Sequence, residues 1–443
     1  MPEIRLPHNF EQHAVAARII QSALDAVDPA QIIPRFVKLD GTRLSVAGRA
    51  YDLAAFRRVH LLALGKAGLR MAQSLQVLTG GLLQRGLVIT KDIGEGSNAP
   101  FEVIEAGHPI PDVRSLRAGQ AVLNFLQDVR ADDLLICAIS GGGSALMAAP
   151  RPPADLNAMQ ALTARLLGCG ASIHEINTLR RHLDQLKGGG LLRQTQARVL
   201  SLILSDVPGN ALADIASGPT AADPTTRDDA LAILEKYNLL ADCPANLLST
   251  IKDGPETLKP QDARLESVHN VVIGSNLVAV QAALKQAEAE GFHPYLLRAD
   301  LEGEARRAAR ELCQSLRWAC QRGEPVSRPF CMVAGGETTV TLQGRGRGGR
   351  NTELALASVV ELAGFPDVLM VTLATDGEDG PTDAAGAMVN GMSWRRAEAL
   401  GLRHPLEYLR ENDSYSFFAG LGDLIETGPT GTNVNDIVLL FGF

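Results

Sequence analysis

Hydrophobic positions in this chain gather in short continuous runs, with little strict alternation. Residues 60–64, 86–90, 134–139, 199–204, 271–273 and 368–374 are such runs, ending in or near glycine, aspartate or serine. Continuous apolar character over four to eight residues is the pattern of strands buried on both faces. Between the runs, residues 115–129, 154–167, 277–289 and 306–318 have helical length and amphipathic spacing. Strand and helix alternate, which predicts an α/β fold with mostly parallel sheets. Ligands of such sheets bind beyond the carboxyl ends of the strands. The residues that follow each run are therefore the first place to look for chemistry.

A length of 443 residues is enough for two large domains. Residues 252–268 combine a glycine, two prolines and many charges without periodicity, as a linker would. The expected division is a first domain over 1–258 and a second over 259–443. Lys and Arg number 42 against 50 Asp and Glu, a net charge of −8. That acidic balance argues against a protein that coats nucleic acid or an anionic membrane. The six cysteines form no CxxC pair, a usage expected of reduced thiols in a cytoplasmic protein. Residues 134–150 lack any charge but hold three consecutive glycines, so they read as a strand, a turn and a helix start instead of a membrane span.

Glycine changes the picture most, with 43 residues against 12 Phe, 5 Tyr and 2 Trp. Ser140-Gly141-Gly142-Gly143-Ser144 follows the run 134–139. Consecutive glycines let backbone N–H groups converge into an anion nest, and a helix N-terminus adds its dipole. No Gly-Lys-Ser/Thr follows, so this is not a Walker A loop. Gly344-Arg-Gly-Arg-Gly-Gly-Arg350 follows the strand-like 338–343 and precedes a helix expected over 352–362. It contains a formal GxGxxG, but the acidic residue a dinucleotide site requires after the next strand is missing, since Asp367 lies before it. Three arginines suit a nucleotide triphosphate better. Lys66 closes the run 60–64 between glycines and can reach a transferring phosphoryl group. Asp206 follows 199–204, and Asp376 and Asp379 follow 368–374; such strand-end carboxylates can hold Mg²⁺ together with phosphate oxygens. Glu175, Asn177, Arg180 and Lys187 lie on a helical stretch entering a second triple glycine, where a salt-bridged surface would account for most of them. The histidines lack zinc-ligand spacing. Together these parts are those of phosphoryl transfer.

The same residues resemble the class II glycerate 2-kinases, whose second half carries the MOFRL domain. The resemblance rests on Leu64-Gly-Lys-Ala67, His108-Pro-Ile-Pro-Asp112, Ser140 to Leu146, Ile176-Asn-Thr-Leu-Arg180 with Lys187-Gly-Gly, and Ser205-Asp-Val with Ile215-Ala-Ser-Gly-Pro-Thr220. It continues through Gly335-Gly-Glu-Thr-Thr339, Gly344 to Glu353, Thr375-Asp-Gly with Asp379-Gly-Pro-Thr-Asp383, Asn412-Asp-Ser-Tyr415 and Thr430-Gly-Thr-Asn-Val-Asn-Asp436. It implies a Rossmann-like parallel-sheet first domain and a smaller α/β second domain containing the MOFRL region at about 330–440, with the active site in the cleft between them. The implied reaction is ATP-dependent, Mg²⁺-dependent phosphorylation of the C2 hydroxyl of D-glycerate to 2-phosphoglycerate. Lys66, Arg350 and Asp206 would be catalytic. Ser140, Gly141, Gly142, Gly143, Ser144, Glu175, Lys187, Glu337, Asn351, Glu353, Asn435 and Asp436 would bind phosphate or substrate, and Asp206 and Asp376 the metal. A monomer or homodimer in the cytoplasm is expected. The chain departs from the pattern at Gly190, Asn210 and Thr352. The rival readings are an NAD(P)H-dependent hydroxypyruvate reductase and a non-catalytic sensor of phosphorylated small acids.

Overall fold

The computed structural model describes residues 4–93 and 101–443. They form two compact units, one of Ile32–Ile273 and one of Met1–Gln31 with Gly274–Phe443. This division and the boundary expected at 258/259 do not coincide, for two reasons. The proline- and charge-rich stretch is followed by β9 (Val268–Ser275), which closes the edge of the first unit's sheet. The helix His13–Val27 buries Ala16, Ile19, Ile20, Ala23, Leu24 and Val27 in a core shared with the helix Asn276–Ala289.

In Ile32–Ile273 the strands are β1 (Val37–Asp40), β2 (Arg43–Val46), β3 (Arg49–Asp52), β4 (Val59–Leu64), β5 (Arg85–Thr90), β6 (Glu102–Glu105), β7 (Leu134–Ile139) and β8 (Arg198–Ser205), with β9 at the boundary. β1 to β3 make a small antiparallel meander. The main sheet has the order β6-β5-β4-β7-β8-β9, with parallel pairing from β6 through β8. Every residue of β4 and β7 is buried, as their continuous apolar runs predict. The chain winds outward from β4 to β6, then restarts at β7 on the other side of β4. That reversal is a topological switch point, where two neighbouring strands send their following loops to opposite faces and leave a crevice. Lys66 follows β4, and the first triple glycine follows β7.

The other unit adds β10 (His293–Leu301), β11 (Phe330–Gly336), β12 (Val368–Ala374), β13 (Gly386–Asn390), β14 (Leu424–Ile425) and β15 (Asp436–Gly442) in the order β10-β11-β15-β12-β13-β14. This sheet is not mostly parallel: β10 and β11 run together, but β15 is antiparallel to both β11 and β12, and β13 to β12 and β14. Parallel neighbours need a crossover, commonly a helix, whereas β15 enters between β11 and β12 from the opposite end. The strand expected over 338–343 is also absent. Its backbone is held by side chains: Thr341 N–H donates to Glu304 (3.2 Å) and Gln343 N–H to Asn412 Oδ1 (2.7 Å). All six cysteines are free thiols. Among the described residues no helix is long and apolar enough to cross a membrane.

Candidate active site

The switch point of the first sheet joins Lys66 to the glycine turn by short-range bonds. Ser140 N–H donates to Leu64 O at 2.8 Å, and Lys66 N–H donates to Gly141 O at 2.9 Å. The buried Ser140 hydroxyl accepts from Ala67 N–H at 3.0 Å. Gly142 has φ +81°, and a Cβ there would lie 3.2 Å from both the His108 ring and Lys66 Cγ. The turn therefore carries the lysine stem and the histidine on its surface, and glycine is required for that approach. The helix that follows is a single turn, Gly143–Leu146, too short to contribute much dipole. Among the described residues, the N–H groups of Gly141, Gly142, Gly143 and Ser144 have no protein acceptor.

The second arginine- and glycine-rich loop behaves differently. Gly344 N–H donates to Asn412 Oδ1 (2.9 Å), Gly346 N–H to Glu411 O (2.8 Å), Arg347 N–H to Asp413 Oδ1 (2.9 Å) and Gly349 N–H to Thr352 Oγ1 (3.1 Å). Most of its backbone donors are thus spent inside the protein, so a phosphate here would have to be met by the arginine side chains instead of a backbone nest. The helix after it is Arg350–Glu361, and its first turn is already capped by a carboxylate. Asp379 accepts from Asn351 N–H and Thr352 N–H, both at 2.8 Å, and from Thr352 Oγ1 at 2.7 Å. Burial pushes the Asp379 carboxyl up, against the lowering effect of those donors. Thr352, a departure from the family pattern, thus has a local role: its hydroxyl ties Asp379, Gly349 and Ser414 together.

Arg350 is gripped by two acids. Its Nε and Nη2 donate to the two oxygens of Asp436 at 2.5 and 2.9 Å, and its Nη1 lies 3.0 Å from Glu337 Oε1. Burial disfavours the guanidinium charge, but Asp436 and then Glu337 outweigh it and raise the pKa further. The register explains the meeting: Asp436 starts β15 opposite Gly336 at the end of β11 and Ala374 at the end of β12. Glu337 and Asp376 follow those two ends. Asn435, with φ +66°, gives its carbonyl to Thr375 N–H and hydroxyl. Asn351 lies under Asp379 (3.4 Å). Glu353 is buried between Arg306 Nε (2.7 Å) and Asn412 Nδ2 (3.1 Å), a bracing position.

Two other expected binding residues are committed elsewhere. Lys187 is 2% exposed, with Nζ 2.7 Å from both Asp184 Oδ2 and Met147 O. Burial lowers its pKa despite that partner. Glu175 closes a capping box with Ser172 and meets Lys236 Nζ at 2.6 Å, and Lys236 with the backbone and Tyr237 bonds holds its carboxyl at about 2. Gly190 has no room for a larger residue, since a Cβ would sit 2.2 Å from Gln185 O. Asn210 takes φ +57°, which asparagine tolerates.

Sequence patterns alone did not single out Ser217 or His108. Ser217 is fully buried in a left-handed turn (φ +59°, after Ala216 at +50°), 2.7 Å from Ser144 Oγ, and it donates to Asn177 Oδ1 at 3.2 Å. Non-glycine residues in that region store strain and cluster at functional sites; Ser217 and His108 both lie in motifs that carry the family resemblance, but neither residue type by itself points to a role.

A doubly wound sheet with a lysine and an open glycine nest at its switch point, and an arginine among acids at the strand ends of a second α/β unit, defines a phosphotransferase-type architecture. Residues 15–252 match the family described as Domain of unknown function (DUF4147), and residues 330–436 match the MOFRL family. A D-glycerate 2-kinase of Thermotoga maritima is 37% identical, covering 96% of this chain and 97% of its own. A crystal structure of glycerate kinase from the same organism has a TM-score of 0.83 at 36% identity, covering 97% of this chain and 99% of that one. A putative hydroxypyruvate reductase of Agrobacterium vitis is 39% identical over 86% of each chain. The chain belongs to the MOFRL-domain glycerate kinase family, and it is a kinase.

Proposed function

We propose that this enzyme transfers the γ-phosphoryl group of ATP to the C2 hydroxyl of D-glycerate, giving 2-phosphoglycerate and ADP. The observation that carries the reading is the contrast between the two glycine loops. The turn at 140–144 keeps the N–H donors of Gly141 to Ser144 available beside Lys66, whereas the loop at 343–349 has given those of Gln343, Gly344, Gly346, Arg347 and Gly349 to protein acceptors. An open nest beside a lysine at a switch point suits phosphate oxygens. The relatives named as glycerate kinases supply the acceptor.

Phosphoryl transfer asks a protein mainly for positioning and charge stabilisation. The C2 oxygen attacks the γ-phosphorus, the bond from γ-phosphorus to the β,γ-bridging oxygen breaks, and ADP leaves with that electron pair. Asp206, directly after β8, takes the hydroxyl proton. Lys66 and Arg350 neutralise charge on the phosphoryl oxygens in flight, Arg350 being aimed by Asp436 and Glu337. Mg²⁺ that keeps mostly phosphate and water ligands needs only one or two carboxylates, and Asp206 after β8 or Asp376 after β12 would hold it. When bound, the ion would supply further neutralisation of the phosphates.

A nicotinamide-dependent reductase fits less well. Its fingerprint glycines at 344–349 follow no strand, and Asp379 occupies the helix start where a pyrophosphate would bind. Incubating the protein with ATP, Mg²⁺ and D-glycerate under phosphorus NMR tests the proposal. A 2-phosphoglycerate resonance is expected. Appearance of 3-phosphoglycerate alone refutes the C2 assignment. Untouched ATP alongside NADH oxidation by hydroxypyruvate favours the reductase.

A further inference from the structure

We propose that Arg180 is the residue that recognises the carboxylate of the acceptor, and so sets the preference for an acid over a neutral polyol; this rests on the acceptor being a hydroxy acid, as proposed above.

The helix Ile173–Leu183 and the loop after it are rich in cations, and nearly all are matched. Arg181 meets Asp223 at 2.9 Å and Asp214 at 3.0 Å; His174 meets Asp214 at 2.9 Å; His182 meets Glu256 at 2.9 Å; Lys187 meets Asp184 at 2.7 Å. Arg180 is the exception. Among the described residues it forms no ion pair, and its one hydrogen bond is a long one, Nη1 to Asn177 Oδ1 at 3.4 Å. Its side chain is half-buried, and that partial burial lowers its pKa with no carboxylate to oppose it. It also lies close enough to Lys187 to disfavour that ammonium. A partly desolvated guanidinium with no carboxylate partner carries some cost in a fold. An anionic ligand that completes it offsets that cost, and a planar carboxylate matches its fork in two parallel bonds.

Its place in the network says which anion. Asn177 Oδ1 accepts from both Arg180 and Ser217 Oγ, and Ser217 touches Ser144 Oγ of the glycine turn at 2.7 Å. Arg180 is thus three hydrogen bonds from the nest proposed for phosphate, on the side chains of its far end. That separation suits the other end of a small substrate whose reacting hydroxyl faces the phosphoryl group. Ala216 and Ser217, held in left-handed conformations, keep the relay in place, and Ala216 Cβ lies 2.8 Å from where a Gly143 Cβ would be.

The test compares Arg180→Ala and Arg180→Lys with the parent enzyme on D-glycerate and on its uncharged amide, D-glyceramide, at varied ATP. The Ala variant is expected to raise the KM for D-glycerate about 100-fold, to leave the KM for ATP unchanged, and to erase the parent's preference for acid over amide. The Lys variant should recover part of that preference. A parent inactive on D-glycerate refutes the hydroxy-acid reading itself. An active parent whose Ala variant keeps the acid-over-amide ratio overturns only the role of Arg180. A raised KM for ATP with an intact ratio would instead place Arg180 on the nucleotide phosphates, and overturns it equally. Circular dichroism melting of each variant separates these effects from loss of fold.

Discussion

Lys187→Met separates a substrate-binding lysine from one that holds the fold. In the structure the ammonium donates to Asp184 Oδ2 and Met147 O, both at 2.7 Å, and neither partner of the ion pair is more than 2% exposed. Asp184 also accepts from Ala149 N–H and Leu186 N–H, both at 2.9 Å, so it stays in place and buried when the lysine is removed. Breaking one side of a buried pair costs about 3–5 kcal/mol. In a unit of this size each kcal/mol lowers the melting midpoint by about 2–4 °C, so a fall of about 6–20 °C is expected. Differential scanning calorimetry measures it. Steady-state kinetics on the folded protein at low temperature should show the KM for glycerate essentially unchanged. A midpoint within about 2 °C of the parent, with a KM for glycerate raised about tenfold or more, would refute this reasoning and return Lys187 to the substrate.

Three further outcomes are expected. Gly142→Ala must take φ +81° against His108 and Lys66, so its turnover should fall well below that of Gly170→Ala, a control with φ +75° and open surroundings; equal turnover would remove the turn from the site. Lys66→Ala and Arg350→Ala should each lower kcat by about 10³-fold with circular dichroism unchanged, and Arg350→Lys should rescue little because Asp436 is engaged by a two-pronged fork; near-parent kcat in any of them contradicts its role. The carboxyl of Glu175 is held at about 2 in the fold, mainly by Lys236, against 4.5 ordinarily. Because that folded pKa is depressed, its contribution is complete above about pH 4.5 and is lost as the pH falls toward 2. Urea unfolding across that window should therefore be flatter for Glu175→Gln than for the parent; identical slopes would exclude the ion pair as a contributor.

Much of the fold was legible because the evidence for it is local. Runs 134–139 and 368–374 are strands at those bounds, since continuous apolar residues can hide only between two covered faces. Lys66 and the 140–144 turn could be nominated because each directly follows such a run. What could not be read depends on distant partners. The two glycine-rich loops are alike in composition, yet one is filled by Asn412 and Asp413, some seventy residues downstream, while the other is left open. Residues 338–343 look like a strand, but Glu304 and Asn412 satisfy them where a neighbouring strand would. Lys187 does enter an ion pair, as its charged helical stretch suggests, but with Asp184 in the interior and not on the surface. The polarity of β15 depends on which end it enters, and no periodicity encodes that.

The position of β15 also bears on the order in which the protein can be made. Its sheet is completed by the strand at residues 436–442, inserted in the middle between β11 and β12. The same unit takes its helix His13–Val27 from the opposite end of the chain. At roughly 5–20 residues per second, that helix leaves the ribosome about 20–80 s before the last strand it needs. Over that interval Ile19, Ile20 and Leu24 have no finished core to enter. The unit spanning 32–273 is complete well before then and can fold during translation. A chaperone that binds this nascent chain should therefore be found on residues 13–27, and should leave only once residues 436–442 have emerged.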